Sequence, residues 1–122
     1  MQNTLIFVYN ADEDYFSQVT DYLHKVFRPK TYACNLCSLT HTNFGMRSEF
    51  KDFIKLFDNI EFLHKDEFYR KFGEHKNDKL PAVYVGNSND KSKLAVLISR
   101  DEINKINNLD ELITLIKTRI NA

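Results

Sequence analysis

Leu80-Pro81-Ala82-Val83-Tyr84-Val85 is a β-rich apolar run that opens on a proline; Gly86 to Lys93 after it is polar, and Leu94 to Ile98 is apolar again. Proline has no N–H for a ladder and is tolerated only at the start or the edge of a strand. The pattern therefore predicts a strand beginning at Leu80, a turn, and a partner strand, which together make a β-hairpin. Downstream, Leu109, Leu112, Ile113, Ile116 and Ile120 recur at helical spacing and predict a C-terminal helix, preceded by a turn at Asp101 to Ile106.

Upstream of the hairpin, strands and helices alternate. Leu5-Ile6-Phe7-Val8-Tyr9 is a continuous apolar run of the kind buried on both faces of a parallel sheet. Asp12, Glu13 and Asp14 suit the start of a helix, where carboxylates meet free amides. Phe16, Val19, Leu23 and Val26 continue that helix until Arg28-Pro29 stops it. Residues 30–46 have little period and poor helix formers; they read as a short extended piece at Thr31 to Ala33 followed by a structured loop. A helix from Ser48 to Phe57 follows, with Phe50, Phe53, Ile54 and Phe57 on one face. Ile60-Glu61-Phe62-Leu63 is a strand. Asp66 caps a short helix whose Phe68, Tyr69 and Phe72 face inward before Gly73, and Glu74 to Lys79 is a polar loop. This order predicts one three-layer α/β domain over residues 1–122, with a central mixed sheet of four strands ending in a β-hairpin plus helix.

Composition narrows the chemistry. A chain of 122 residues buries enough surface to fold without a disulfide or a structural metal. Its 17 basic and 17 acidic side chains cancel, so no global field draws it to nucleic acid or to an anionic membrane, and neither is expected as a partner. The N-terminal residues lack a basic leader and Leu5 to Tyr9 is too short for a signal segment, which predicts a cytoplasmic protein. Gly45, Gly73 and Gly86 lie too far apart for a phosphate-binding loop or a dinucleotide fingerprint. No two of His24, His41, His64 and His75 have zincin spacing, and no serine sits in a nucleophile elbow.

What remains is one Cys-x-x-Cys, Cys34-Asn35-Leu36-Cys37. Between Lys25 and Arg47 there is no Asp or Glu, while Arg28, Lys30 and Arg47 supply positive charge. Such a segment favours thiolates and suits an anionic ligand or partner at Arg28, Lys30 and Arg47. Phe44-Gly45-Met46-Arg47, a glycine turn ending in arginine, is a candidate pocket wall. Three uses of the cysteines stay open. They can exchange with protein thiols, disulfides or a small thiol. Alternatively, Cys34, Cys37 and His41, with His24 or His64 as a fourth ligand, can hold zinc in a non-enzymatic metal- or partner-binding module. Or they can pack as small hydrophobes beside Leu36 and Leu39. His64 and His75 read as structural or solvated, and the Phe50, Phe53, Phe57 stripe reads as core.

The element order, the Cys-x-x-Cys in the first half and Leu80-Pro81-Ala82-Val83 opening the hairpin together resemble the thioredoxin-like superfamily, over nearly the whole chain. The stretch with Cys37, Leu39-Thr40 and Gly45-Met46-Arg47 also looks like that of small bacterial members with no assigned activity. The resemblance implies a thioredoxin-like fold and thiol–disulfide oxidoreductase activity, with Cys34 as attacking thiolate, Cys37 as resolving thiol and Pro81 as a cis-proline that positions the partner. Two registers are open. In the thioredoxin-like one, Thr31 to Ala33 lead into the motif; in the glutaredoxin-like one, Leu5 to Tyr9 is the motif strand, Ala11 to Asp14 occupy the usual turn, and the cysteines sit in an insertion.

Overall fold

Strand β1 (Thr4–Tyr9) is buried at every residue and organises the domain. In this computed structural model, which describes residues 4–10, 35–42, 45–57, 59–87 and 90–120, it pairs in parallel with β4 (Asn59–His64) and antiparallel with β5 (Ala82–Asn87). Strand β6 (Asp90–Ile98) pairs antiparallel with β5, and the sheet order is β4-β1-β5-β6. An interior strand covered on both faces needs apolar side chains at odd and even positions alike, which is why Leu5 to Tyr9 runs unbroken.

Alternation along β1 splits the core in two. Leu5, Phe7 and Tyr9 join α1 (Asn35–Thr40), α2 (Ser48–Ile54), α4 (Arg100–Asn104) and α5 (Leu109–Ile120) on one face. Ile6 and Val8 meet Phe68 of α3 (Lys65–Lys71), together with Leu63, Ala82 and Tyr84, on the other. Phe7, Phe50 and Phe68 are fully buried, each contributing on the order of 2 kcal/mol of transfer free energy. The molecule is thus a mixed α/β domain around a four-stranded mixed sheet. Among the described residues no helix is long and apolar enough to cross a membrane.

Several expected boundaries move. The hairpin is longer than its apolar runs, because β5 continues to Asn87 and β6 starts at Asp90. Ladder bonds come from the backbone, and pairs such as Gly86 with Leu94 form whatever the side-chain polarity. Helix α2 stops at Ile54, and Phe57 beyond it still packs its ring edge-on against Phe53 at 5.2 Å. The cap of α3 is His64, whose Nδ1 accepts the Glu67 N–H at 3.2 Å, and not Asp66. The stretch after Ile98 is the short helix α4 with a Ser99–Glu102 capping box, where a turn was expected.

The largest departure is α1. Asn35 to Thr40 form a helix where poor propensity predicts a loop. Tertiary contacts override that propensity. Leu36, Cys37, Leu39 and Thr40 are buried, and the Asn35 Nδ2 donates to the carbonyls of Ile103 and Ile106 at 2.7 and 3.2 Å. Helix α1 leads into a small ribbon of β2 (His41–Thr42) and β3 (Gly45–Met46). Gly45 sits at φ 120°, which a side chain would strain. The predicted helix around Phe16 to Val26 and the extended piece at Thr31 to Ala33 lie outside the described residues.

Candidate functional site

Cys37 lies in the second half of the first turn of α1, is 3% exposed, and is disulfide-bonded. The chain has one other cysteine, Cys34, which lies outside the described residues, as do Arg28, Lys30 and His24. The helix is fastened at both ends. At its start Asn35 grips the carbonyls before α5, and Ser38 Oγ donates back to the Asn35 carbonyl at 2.8 Å. At its end Thr40 is a hub: its Oγ1 is 2.9 Å from the Leu36 carbonyl, 3.1 Å from the Tyr9 hydroxyl and 2.7 Å from His41 Nδ1.

The valences of that hub assign its protons. A carbonyl only accepts, so the single Thr40 hydroxyl hydrogen goes to Leu36. Thr40 then accepts from the Tyr9 hydroxyl and from His41 Nδ1–H. His41 is therefore held as the Nδ1–H form, or as imidazolium, by a neutral hydroxyl. Tyr9 is almost fully buried, and burial pushes its pKa well above the ordinary value.

Pro81 comes to the same end of β1 at the start of the neighbouring strand β5. The Leu80–Pro81 peptide is cis, and Ala82 pairs with Val8, so Pro81 lies beside the terminus of β1 where Tyr9 stands. Two of the sequence candidates, Cys37 and Pro81, thus belong to segments that converge on the last residues of one strand. No family model, no curated protein and no solved structure matches this chain.

Arg47 belongs to the wall of a cleft of about 420 Å³ on the outer side of α1. Its Nη2 donates to the Ser38 carbonyl at 3.2 Å and its backbone N–H to the Thr40 carbonyl at 2.8 Å, which ties the ribbon back to the helix. Asn35, Ser38 and Leu39 form one side, and Asn107 to Asp110 the other. Glu49 and Asp110 also line it. The acid-free stretch in sequence therefore faces acids in space, because α2 and the start of α5 bring their carboxylates alongside.

The metal alternative gains no cluster: among the described residues no group of three or more His, Cys, Asp or Glu is arranged to hold an ion. In a disulfide Cys37 offers no thiolate, and His64 Nδ1 is spent on the α3 cap.

A second polar network, on the other face of the sheet, is not signalled by any motif. Asp78 Oδ2 accepts from the Tyr84 hydroxyl and from His75 Nδ1, each at 2.8 Å, while the Asp78 carbonyl accepts from the Tyr69 hydroxyl at 2.9 Å. Burial and then the Asp78 carboxylate push the Tyr84 pKa far up, and Tyr69 moves the same way for the same two reasons. This network anchors the loop that leads into Leu80–Pro81. Its three-residue spacing from His75 to Asp78 is a faint sequence trace; the convergence on Tyr84 is visible only once the loop is folded over the sheet.

Proposed function

We propose that this chain is a thioredoxin-like domain that carries out thiol–disulfide exchange at Cys34 and Cys37. The observation that carries the reading is the disulfide-bonded Cys37 on a helix whose end is hydrogen-bonded to Tyr9, at the same end of β1 that adjoins cis-Pro81. The sheet order β4-β1-β5-β6, with a parallel β1–β4 pair, an antiparallel hairpin and helices against both faces, supports the three-layer arrangement. Since β1 is the strand that adjoins Pro81, it also supports the register in which Leu5 to Tyr9 is the motif strand and the cysteines belong to an insertion folded back onto its end.

The roles follow from access. Cys37 is buried, so it suits a resolving thiol reached from a neighbouring sulfur, and Cys34 is left as the attacker. In the reductive direction the Cys34 thiolate attacks a partner disulfide, forming a mixed disulfide and releasing one partner thiolate. Deprotonated Cys37 then attacks Cys34, releasing the second partner thiolate and leaving the intramolecular disulfide. Two electrons pass to the partner.

Equilibration across dithiothreitol ratios, with alkylation and intact mass as the readout, tests the reading. The expected result is one reversible two-electron transition in the wild type, a trapped mixed disulfide with a model disulfide in Cys37→Ser, and none in Cys34→Ser. Absence of a reversible transition overturns it.

A further inference from the structure

At the far end of the sheet from Pro81, on the face covered by α3, lies a cavity of about 500 Å³. Its shape follows from the sheet register. Thr4, Gly86 and Leu94 are cross-strand partners in one row of β1, β5 and β6, and the middle of that row, Gly86, has no side chain. Helix α3 ends at Lys71, which lines the cavity together with Phe72 just beyond it. Ile6 and Leu94 give an apolar floor and Phe72 a wall. At the rim Glu61 and Lys71 form an ion pair at 3.7 Å.

Thr4 is 3% exposed and its Oγ1 has no hydrogen-bond partner, the one such side-chain atom among the described residues. A hydroxyl removed from water without a partner is destabilising, and native structures keep few of them without a reason. Thr4 lines the cavity, on the same face of β1 as Ile6. The rim charges already neutralise each other, so the site has no net demand for a charged guest.

We infer that this cavity binds a small uncharged molecule, apolar except for one hydroxyl or carbonyl that pairs with Thr4 Oγ1. The apolar body rests on Ile6, Leu94 and Phe72 over the gap above Gly86, and the polar group satisfies the orphan hydroxyl. This site is separate from the cysteines and independent of their chemistry.

Titration of the full-length 15N-labelled protein with phenol, and with toluene as the shape-matched control, tests the inference. Phenol is expected to shift the amides of Thr4, Ile6, Phe72, Gly86 and Leu94 saturably, and to bind about three- to tenfold more tightly than toluene, the range set by one neutral hydrogen bond. Thr4→Val is expected to melt at a higher temperature when free, because the orphan hydroxyl is gone, and to bind phenol and toluene alike. Phenol shifts that do not saturate or fall elsewhere overturn the inference. Equal binding of phenol and toluene by the wild type does so as well.

Discussion

Two buried tyrosines, one on each face of the sheet, end in networks with the same outline and different hubs. Tyr9 meets the hydroxyl of Thr40, which also holds His41; Tyr84 meets the carboxylate of Asp78, which also holds His75. A hydroxyl has one proton to give and gives it to Leu36, so the Thr40 hub carries no charge of its own and accepts from its other two neighbours. A carboxylate accepts from both neighbours and adds charge, so the Tyr84 bonds are the stronger ones individually. Burial runs the other way. Thr40 is fully buried, whereas the Asp78 side chain is 34% exposed and water can stand in for a lost partner. The contrast separates bond strength from the cost of stranding a donor, and the second should dominate.

The sharpest way to break this comparison is Thr40→Val. It removes the buried hydroxyl that Tyr9, His41 and the Leu36 carbonyl share, with an expected loss of about 2–3 kcal/mol in urea unfolding. Adding Tyr9→Phe should restore a large part of it. A Thr40→Val loss no greater than that of an exposed substitution would break the hub assignment.

Asp78→Asn keeps the shape and one acceptor but removes the charge, and should cost less, about 1–2 kcal/mol. The same variant sharpens the contrast at high pH. In both networks the fold favours neutral phenol, so the stabilisation is complete below the ordinary tyrosine pKa of 10.0 and is lost as pH rises above it. Absorbance titration at 295 nm should find Tyr84 ionising at lower pH in Asp78→Asn than in the wild type, with Tyr9 unmoved. A Tyr9 shift of equal size would show that the two networks are not independent.

Glu102 provides the smallest effect, as a hub open to solvent. Its carboxylate accepts from Arg119 and from the Ser99 N–H, and the Arg119 bond above all pulls its pKa down to about 2. A lowered carboxyl pKa stabilises the fold above the ordinary value of 4.5 and is lost as pH falls towards 2. Both side chains are more than a third exposed on average, so screening limits the contribution to on the order of 1 kcal/mol or less. Glu102→Gln should flatten the acid limb of a melting-temperature profile between those pH values by lowering neutral-pH stability to the acid level, a loss on the order of 1 kcal/mol or less. An acid limb as steep as in the wild type would count against this assignment.

How legible each region is follows from where its stabilising partners lie. Strand β1 and helix α5 announce themselves because their periodicity is local: Leu5 to Tyr9 are buried on both faces, and Leu112 and Ile116 lie one turn apart on the buried side of α5. The proline before β5 is equally plain, since a residue without an N–H has few places in a sheet. Helix α1 is not legible. Its residues are weak helix formers, and the groups that hold it belong to Ile103 and Ile106, far along the chain. The cap of α3 is illegible for the same reason: Asp66 has the right chemistry, but the chain enters the helix through His64.

The candidate site divides along the same line. Residue order alone supplies the Cys-x-x-Cys with the basic stretch around it, and the proline that opens the hairpin, because each is a local pattern that needs no folding to be read. It is the folded chain that sets the end of the Cys37 helix against Tyr9, brings Glu49 and Asp110 opposite Arg47, and closes Asp78 onto Tyr84. It also leaves Thr4 without a partner over Gly86. Those relations depend on strand register and on which carbonyls and carboxylates lie across a gap, and neither is encoded in a local pattern of residue types.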